Sequence, residues 1–142
     1  MKSLSARFGL ILIGLMAFGH SDALGQSWKT FYSSNYAIYR YDTENLIRPD
    51  RGVVKVQVNI VYGTRGVGDL VDKHGDRFQD IGNGVALFEV RCAERTTRII
   101  SSSYYSWNGT ELLSNVPQNS EWGFITPGSV GEALLKKVCD KE

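Results

Sequence analysis

From Val53 to Tyr62 apolar and polar residues alternate, with Val54, Val56, Val58, Ile60 and Tyr62 on one side and Lys55, Gln57 and Asn59 on the other. Successive side chains of a strand point to opposite faces, so this run fits a half-buried strand of an antiparallel sheet and does not fit a helix. The period recurs from Asn83 to Glu94, where Ala86, Phe88, Val90 and Cys92 share a face and Glu89 and Arg91 lie opposite. Trp28 to Ser33 and Tyr36 to Tyr41 read as two short strands around Ser34-Asn35, and Arg95 to Tyr105 reads as a long one. Trp107-Asn108-Gly109-Thr110 is an Asn-Gly hairpin turn that returns the chain through Glu111 to Ser114.

One helix is expected, at the C-terminal end. Pro127-Gly128 breaks the preceding segment, and Ser129-Val130-Gly131-Glu132 has the form of a capping box, with Ser at the cap and Glu three residues on. Val130, Ala133, Leu134 and Val138 then form one stripe, and Lys136, Lys137 and Lys141 put positive charge where the helix dipole favours it. With no fixed-period repeat and no low-complexity linker, the 142 residues hold a single domain. The expected fold is α+β: an antiparallel meander with a C-terminal helix packed on one face.

The N-terminus carries a different signal. Lys2 and Arg7 precede an uncharged apolar run from Phe8 to Phe18, and a polar stretch ends at Ala23-Leu24-Gly25. This is the layout of a secretory signal peptide. The apolar run is about half the roughly 20 residues a membrane span needs. Cleavage is expected after Gly25, with Ala23 as the alternative, leaving residues 26–142 as a soluble mature domain without a membrane anchor. No Cys precedes Cys92, so the attachment residue of a bacterial lipoprotein is absent from this stretch. Loss of Lys2, Arg7 and Asp22 takes the 16 basic and 15 acidic side chains of the chain to formal neutrality. A neutral domain does not bind nucleic acid or anionic membrane by bulk charge.

Cys92 and Cys139 are the only cysteines, and His74 is the only histidine of the mature domain. A metal centre needs three or four ligands at short spacing, and there is no C-x-x-C, so a structural disulfide in an oxidising compartment is the expectation. Closing the loop of 47 positions between the two cysteines is worth about 4 kcal/mol on chain-entropy arithmetic. The bond would tie the helix to the inner face of the sheet.

Gly63 to Gly84 stands apart, with six glycines interspersed with Asp69, Asp72, His74, Asp76 and Asp80. Asp72-Lys73-His74-Gly75-Asp76 does not follow a calcium loop, and Gly63-Thr64-Arg65-Gly66-Val67-Gly68 lacks the ending of a phosphate-binding loop. The segment reads as a solvated, mobile loop, and neither metal nor cofactor is expected. His74 has no recognisable nucleophile partner, and Glu89, Glu94, Glu111 and Glu121 show no pairing for glycoside cleavage. Catalysis is therefore not expected. Aromatic residues are the better candidates: Tyr104 and Tyr105 must point to opposite faces of a regular strand, and with Trp107 they mark a candidate binding surface.

The order of features also resembles a family. Trp28-x-x-Phe31-Tyr32, then Tyr39-Arg40-Tyr41-Asp42, precede the valine strand and the strand that carries Cys92. Tyr104-Tyr105 with its turn, Trp122-Gly123-Phe124-Ile125-Thr126-Pro127-Gly128-Ser129 and a helix ending Val138-Cys139 follow. This arrangement resembles the surface-adhesin protein E-like family of small exported bacterial proteins. The resemblance implies an antiparallel sheet with a helix, no enzymatic activity and, for the namesake, adhesion to host extracellular matrix proteins. The expected function is a non-catalytic, periplasmic or secreted binding protein of the envelope. Its partner would be a host matrix protein or an envelope protein. The alternatives are a periplasmic inhibitor acting through Gly63–Gly84 and a small secreted hydrolase.

Overall fold

The alternating segment is strand β4, Val53–Tyr62, at the centre of an eight-stranded antiparallel sheet. The computed structural model describes residues 26–140; the expected signal peptide, residues 1–25, and Lys141 lie outside them. The other strands are β1 (Trp28–Ser33), β2 (Ala37–Asp42), β3 (Ile47–Asp50), β5 (Ile81–Arg91), β6 (Thr96–Ser106), β7 (Glu111–Asn115) and β8 (Gly123–Phe124). They run in the order β1-β2-β4-β5-β6-β7, which is the expected meander. Two short strands complete the edges. β2 pairs with the Val58–Tyr62 half of β4 and β3 with its start, while β7 and β8 divide β6 in the same way. The sequence reading did not contain β3 or β8. Every residue of β3 is exposed and one is Pro49, which an edge strand tolerates because no ladder bond is demanded of it there.

The even-numbered residues of β4 face a core. Val54, Val56 and Val58 are buried, and Val90 and Tyr41 join them from β5 and β2. Helix α2, Val130–Cys139, covers this face through Leu134, Leu135 and Val138. Leu135 belongs to the buried stripe that the sequence reading drew without it. Ser129 caps the helix by accepting from the Glu132 amide, and the Glu132 carboxylate accepts from the Gly128 amide, one residue before the cap. Arg48 of β3 donates to the Val138 carbonyl at the other end. Cys92, just beyond β5, is bonded to Cys139, the last residue of α2, with 5.7 Å between their α-carbons. Helix and sheet are therefore joined covalently across 47 positions of chain.

Gly63–Gly84 is not a loop. Thr64–His74 is an α-helix, α1, and Asp76–Asp80 is a 3-10 turn. Val67, Leu70, Val71 and His74 recur at helical spacing. The glycines hide that stripe because each costs about 1 kcal/mol against Ala in a helix. Tertiary packing overrides the propensity: Leu70, Phe78 and Ile81 form a second core with Tyr62 and Tyr104 packed against it. Gly66 has a specific reason to be glycine, since a Cβ there would lie 2.4 Å from the Tyr36 carbonyl oxygen. Gly75, at φ +95°, ends the helix.

Two turns also differ from expectation. Glu94 and Arg95 fall in the turn between β5 and β6, with Arg95 at φ +54°, and β6 starts at Thr96. In the β6–β7 hairpin only Gly109 has positive φ, so the turn is not the two-residue mirror-image type. The Gly109 amide donates to the Ser106 carbonyl, and the Ser106 amide to that of Thr110. The Trp107 amide donates to the Asp80 carbonyl at 3.0 Å, tying the hairpin to the 3-10 turn.

Candidate functional site

Among the described residues both helices pack against the side of the sheet that carries the even residues of β4, α2 through Leu134, Leu135 and Val138 and α1 through Leu70, and neither covers the other side. A β-bulge decides which tyrosine reaches it. Phe88 pairs with Ile99 but Leu87 pairs with Ser101, so Ile100 is an extra residue and the side-chain alternation of β6 shifts by one. Tyr104 consequently pairs with Gly84 on the helix side, and Tyr105 pairs with Asn83 on the open side. Of the three aromatic residues singled out from sequence, the fold brings Tyr105 and Trp107 together and separates Tyr104 from them. Tyr104 packs among Tyr62, His74 and Phe78, with ring centroids 5.5–6.3 Å away. Burial is the main reason that the Tyr62 hydroxyl is pushed well above the usual tyrosine range, so it remains protonated.

Tyr105 and Trp107 line a shallow recess of about 710 Å³ with Trp28, Arg40, Asn59 and Asn83. Sheet register builds it: Arg40 is opposite Asn59 across β2–β4, Asn59 is opposite Val85 across β4–β5, and Asn83 lies two residues along from Val85. Asn59 is only 6% exposed, whereas Trp107 at the rim is 76% exposed. Arg40 Nε is buried without a hydrogen-bond partner among the described residues. Sequence reasoning missed Arg40, Asn59 and Asn83, and it did not single out Trp28 from the other aromatic residues. The signal available for Asn59 was its place on the polar side of β4.

The opposite end of the open face is already closed. Glu89, 7% exposed, accepts from Arg98 Nε at 2.7 Å and pairs with Lys55 at 3.6 Å. The guanidinium groups of Arg91 and Arg98 lie 3.9 Å and 4.6 Å from the Trp122 ring centre, a geometry that favours cation–π attraction. Trp122 is thereby occupied within the chain. On the helix side, an apolar cleft of about 250 Å³ runs between the first turn of α2 and the sheet, walled by Phe31, Ile60, Phe88 and Leu134.

His74 stacks on Phe78, a buried residue of the small second core, with ring centroids 4.9 Å apart. No group of three or more His, Cys, Asp or Glu side chains able to hold a metal ion occurs among the described residues. Glu132 is held below the usual carboxylate range first by the Gly128 amide and then by Lys136 and Arg95. Its role is in the cap. The segment suggested as an inserting inhibitory loop is a packed helix. No helix among the described residues is long and apolar enough to cross a membrane.

No curated protein sequence matches this chain. Among solved structures, crystal form II of Haemophilus influenzae protein E aligns with 14% identity and a TM-score of 0.51, covering 83% of this chain and 97% of that one. A structure of protein E from non-typeable Haemophilus influenzae aligns with 14% identity and a TM-score of 0.47, covering 82% and 86%. The former alignment shows a shared fold. The sequence model of the surface-adhesin protein E family matches residues 28–140, which include the disulfide, the C-terminal helix and the whole open face. This chain belongs to the surface-adhesin protein E family.

Proposed function

We propose that the protein is an exported, non-catalytic binding protein of the bacterial envelope with an adhesin-like role. Residues 1–25 serve as its signal peptide and residues 26–142 as the mature domain. Its partner is a protein, from the host matrix or the envelope, that seats on the open face around Tyr105 and Trp107. The carrying observation is the recess itself: Trp28, Tyr105, Trp107 and Arg40 meet on the sheet face that neither helix of the described residues covers. Trp, Tyr and Arg are the residue types that dominate binding hot spots. Trp107 is exposed while its backbone is fixed to Asp80, so little backbone entropy is lost when a partner covers it.

The test is binding of the purified, oxidised protein to immobilised extracellular matrix proteins and to envelope proteins. A Tyr105→Ala/Trp107→Ala double variant, with its fold checked by circular dichroism, should bind at least about tenfold more weakly, as expected of hot-spot truncation. Unchanged binding by the folded double variant removes the open face as the binding surface.

A further inference from the structure

The recess contains more than an aromatic contact surface requires. Arg40 makes no ion pair among the described residues, and its Nε is buried without a partner. No acidic residue lines the recess, so its one formal charge is positive. The nearby Asp42 is engaged elsewhere, accepting from the Glu44 and Asn45 amides and from the Asn45 side chain. An uncompensated guanidinium in a part-buried site is best matched by a carboxylate, which it can hold through two parallel hydrogen bonds.

The remaining groups narrow the ligand further. Asn59 and Asn83 are diagonal neighbours across β4–β5, so their side chains stand about 7–8 Å apart or less. Each primary amide offers both donors and an acceptor, the combination that matches hydroxyl groups, which also donate and accept. Tyr105 and Trp107 line the same recess and bring aromatic rings to it. An extended peptide would instead seek a free strand edge; β1, which lends Trp28 to the rim, has one, but Arg40, Asn59 and Asn83 lie on β2, β4 and β5, which are paired on both sides.

We propose that the recess binds a carboxylate-bearing sugar residue of an acidic glycan. Arg40 holds the carboxylate, Asn59 and Asn83 bond ring hydroxyls, and Tyr105 or Trp107 covers the C–H face of the ring. This rests on the reading of the open face as the binding face, and it takes the glycan to be one carried by the protein partner proposed to seat there.

The experiment titrates the full exported protein with D-glucuronate and follows tryptophan emission and calorimetric heat. D-glucose, acetate and a short glutamate-rich peptide are the comparison arms. Glucuronate should bind saturably, at least about tenfold more tightly than glucose or acetate, and Arg40→Gln should remove about that factor, as loss of a charge-assisted pair implies. Arg40→Lys, which keeps the charge and loses the planar fork, should fall between the two. Glucuronate binding no tighter than glucose or acetate overturns the inference. So does an unchanged affinity in folded Arg40→Gln, or a peptide that binds as tightly as glucuronate. If the sugar fails while Tyr105→Ala/Trp107→Ala still loses matrix-protein binding, only the sugar inference falls. If that double variant keeps matrix-protein binding, the open-face reading falls with it.

Discussion

Alanine at Gly66 and alanine at Gly68 should change stability in opposite directions, although both lie in α1. At Gly66 the added Cβ would sit 2.4 Å from the Tyr36 carbonyl oxygen and 3.1 Å from Tyr62 Cδ1. The first neighbour is backbone, and it already accepts from the Gly63 amide at 2.9 Å, so it cannot swing aside as a side-chain tip would. The helix must move outward. Overpacking of this kind costs about 1–3 kcal/mol, and loss of the Gly63–Tyr36 bond adds about 1 kcal/mol. Alanine returns about 1 kcal/mol through helix propensity. The net is a destabilisation of about 1–3 kcal/mol. Gly68 is exposed, and its Cβ would meet nothing within 4 Å, so only the propensity gain of about 0.5–1 kcal/mol operates there. Urea unfolding of the oxidised protein, followed by tryptophan fluorescence at unchanged m, measures both. A Gly66→Ala variant as stable as the parent, or a destabilised Gly68→Ala variant, would refute the packed-helix account and restore the loop.

Three further outcomes follow from the same contacts. Cys139→Ser frees α2 from the sheet and should cost about 2–4 kcal/mol, measured as a lower urea midpoint that no longer responds to reductant. Ser129→Ala removes the acceptor for the Glu132 amide and should cost about 1 kcal/mol, read by the same unfolding curves. Burial opposes ionisation of Asp42, but the Asn45 side chain and the Glu44, Asn45 and Ser27 amides outweigh it and hold the carboxyl below its ordinary value. The unfolded chain therefore binds more protons in acid. The contribution of Asp42 is complete above about pH 4 and is lost as the pH falls through the lower folded value. Asp42→Asn should flatten the stability–pH profile below about pH 4, and a profile as steep as the parent's would contradict that assignment.

Much of the sheet was legible because its signals are local. The valine alternation predicted β4 to the residue, Val53 to Tyr62, and the Ser129–Glu132 pair marked the start of α2. The cysteine pairing followed from having two cysteines in a chain whose N-terminus reads as an export signal. Helix α1 was hidden because Gly66 and Gly68 mask the stripe of Val67, Leu70, Val71 and His74, and because its packing draws on Tyr104, far along the chain. β3 escaped because its exposed residues carry no alternation. The site was half legible: strand period placed Tyr104 and Tyr105 on opposite faces, but the extra residue Ile100 decides which face each takes. Arg40, Asn59 and Trp28 come together only through register across β1, β2 and β4.

The central claim is that partners meet the protein on the open face of its sheet. Hydroxyl-radical footprinting of the protein bound to its matrix or envelope partner tests this most directly, because the side chains at issue oxidise readily when accessible. Trp28, Tyr105 and Trp107 should be protected in the complex, while Tyr104 and Phe124, the latter 89% exposed on β8, should be unchanged. Protection at Phe124 with Trp107 still reactive would place the contact on the sheet edge and contradict the account.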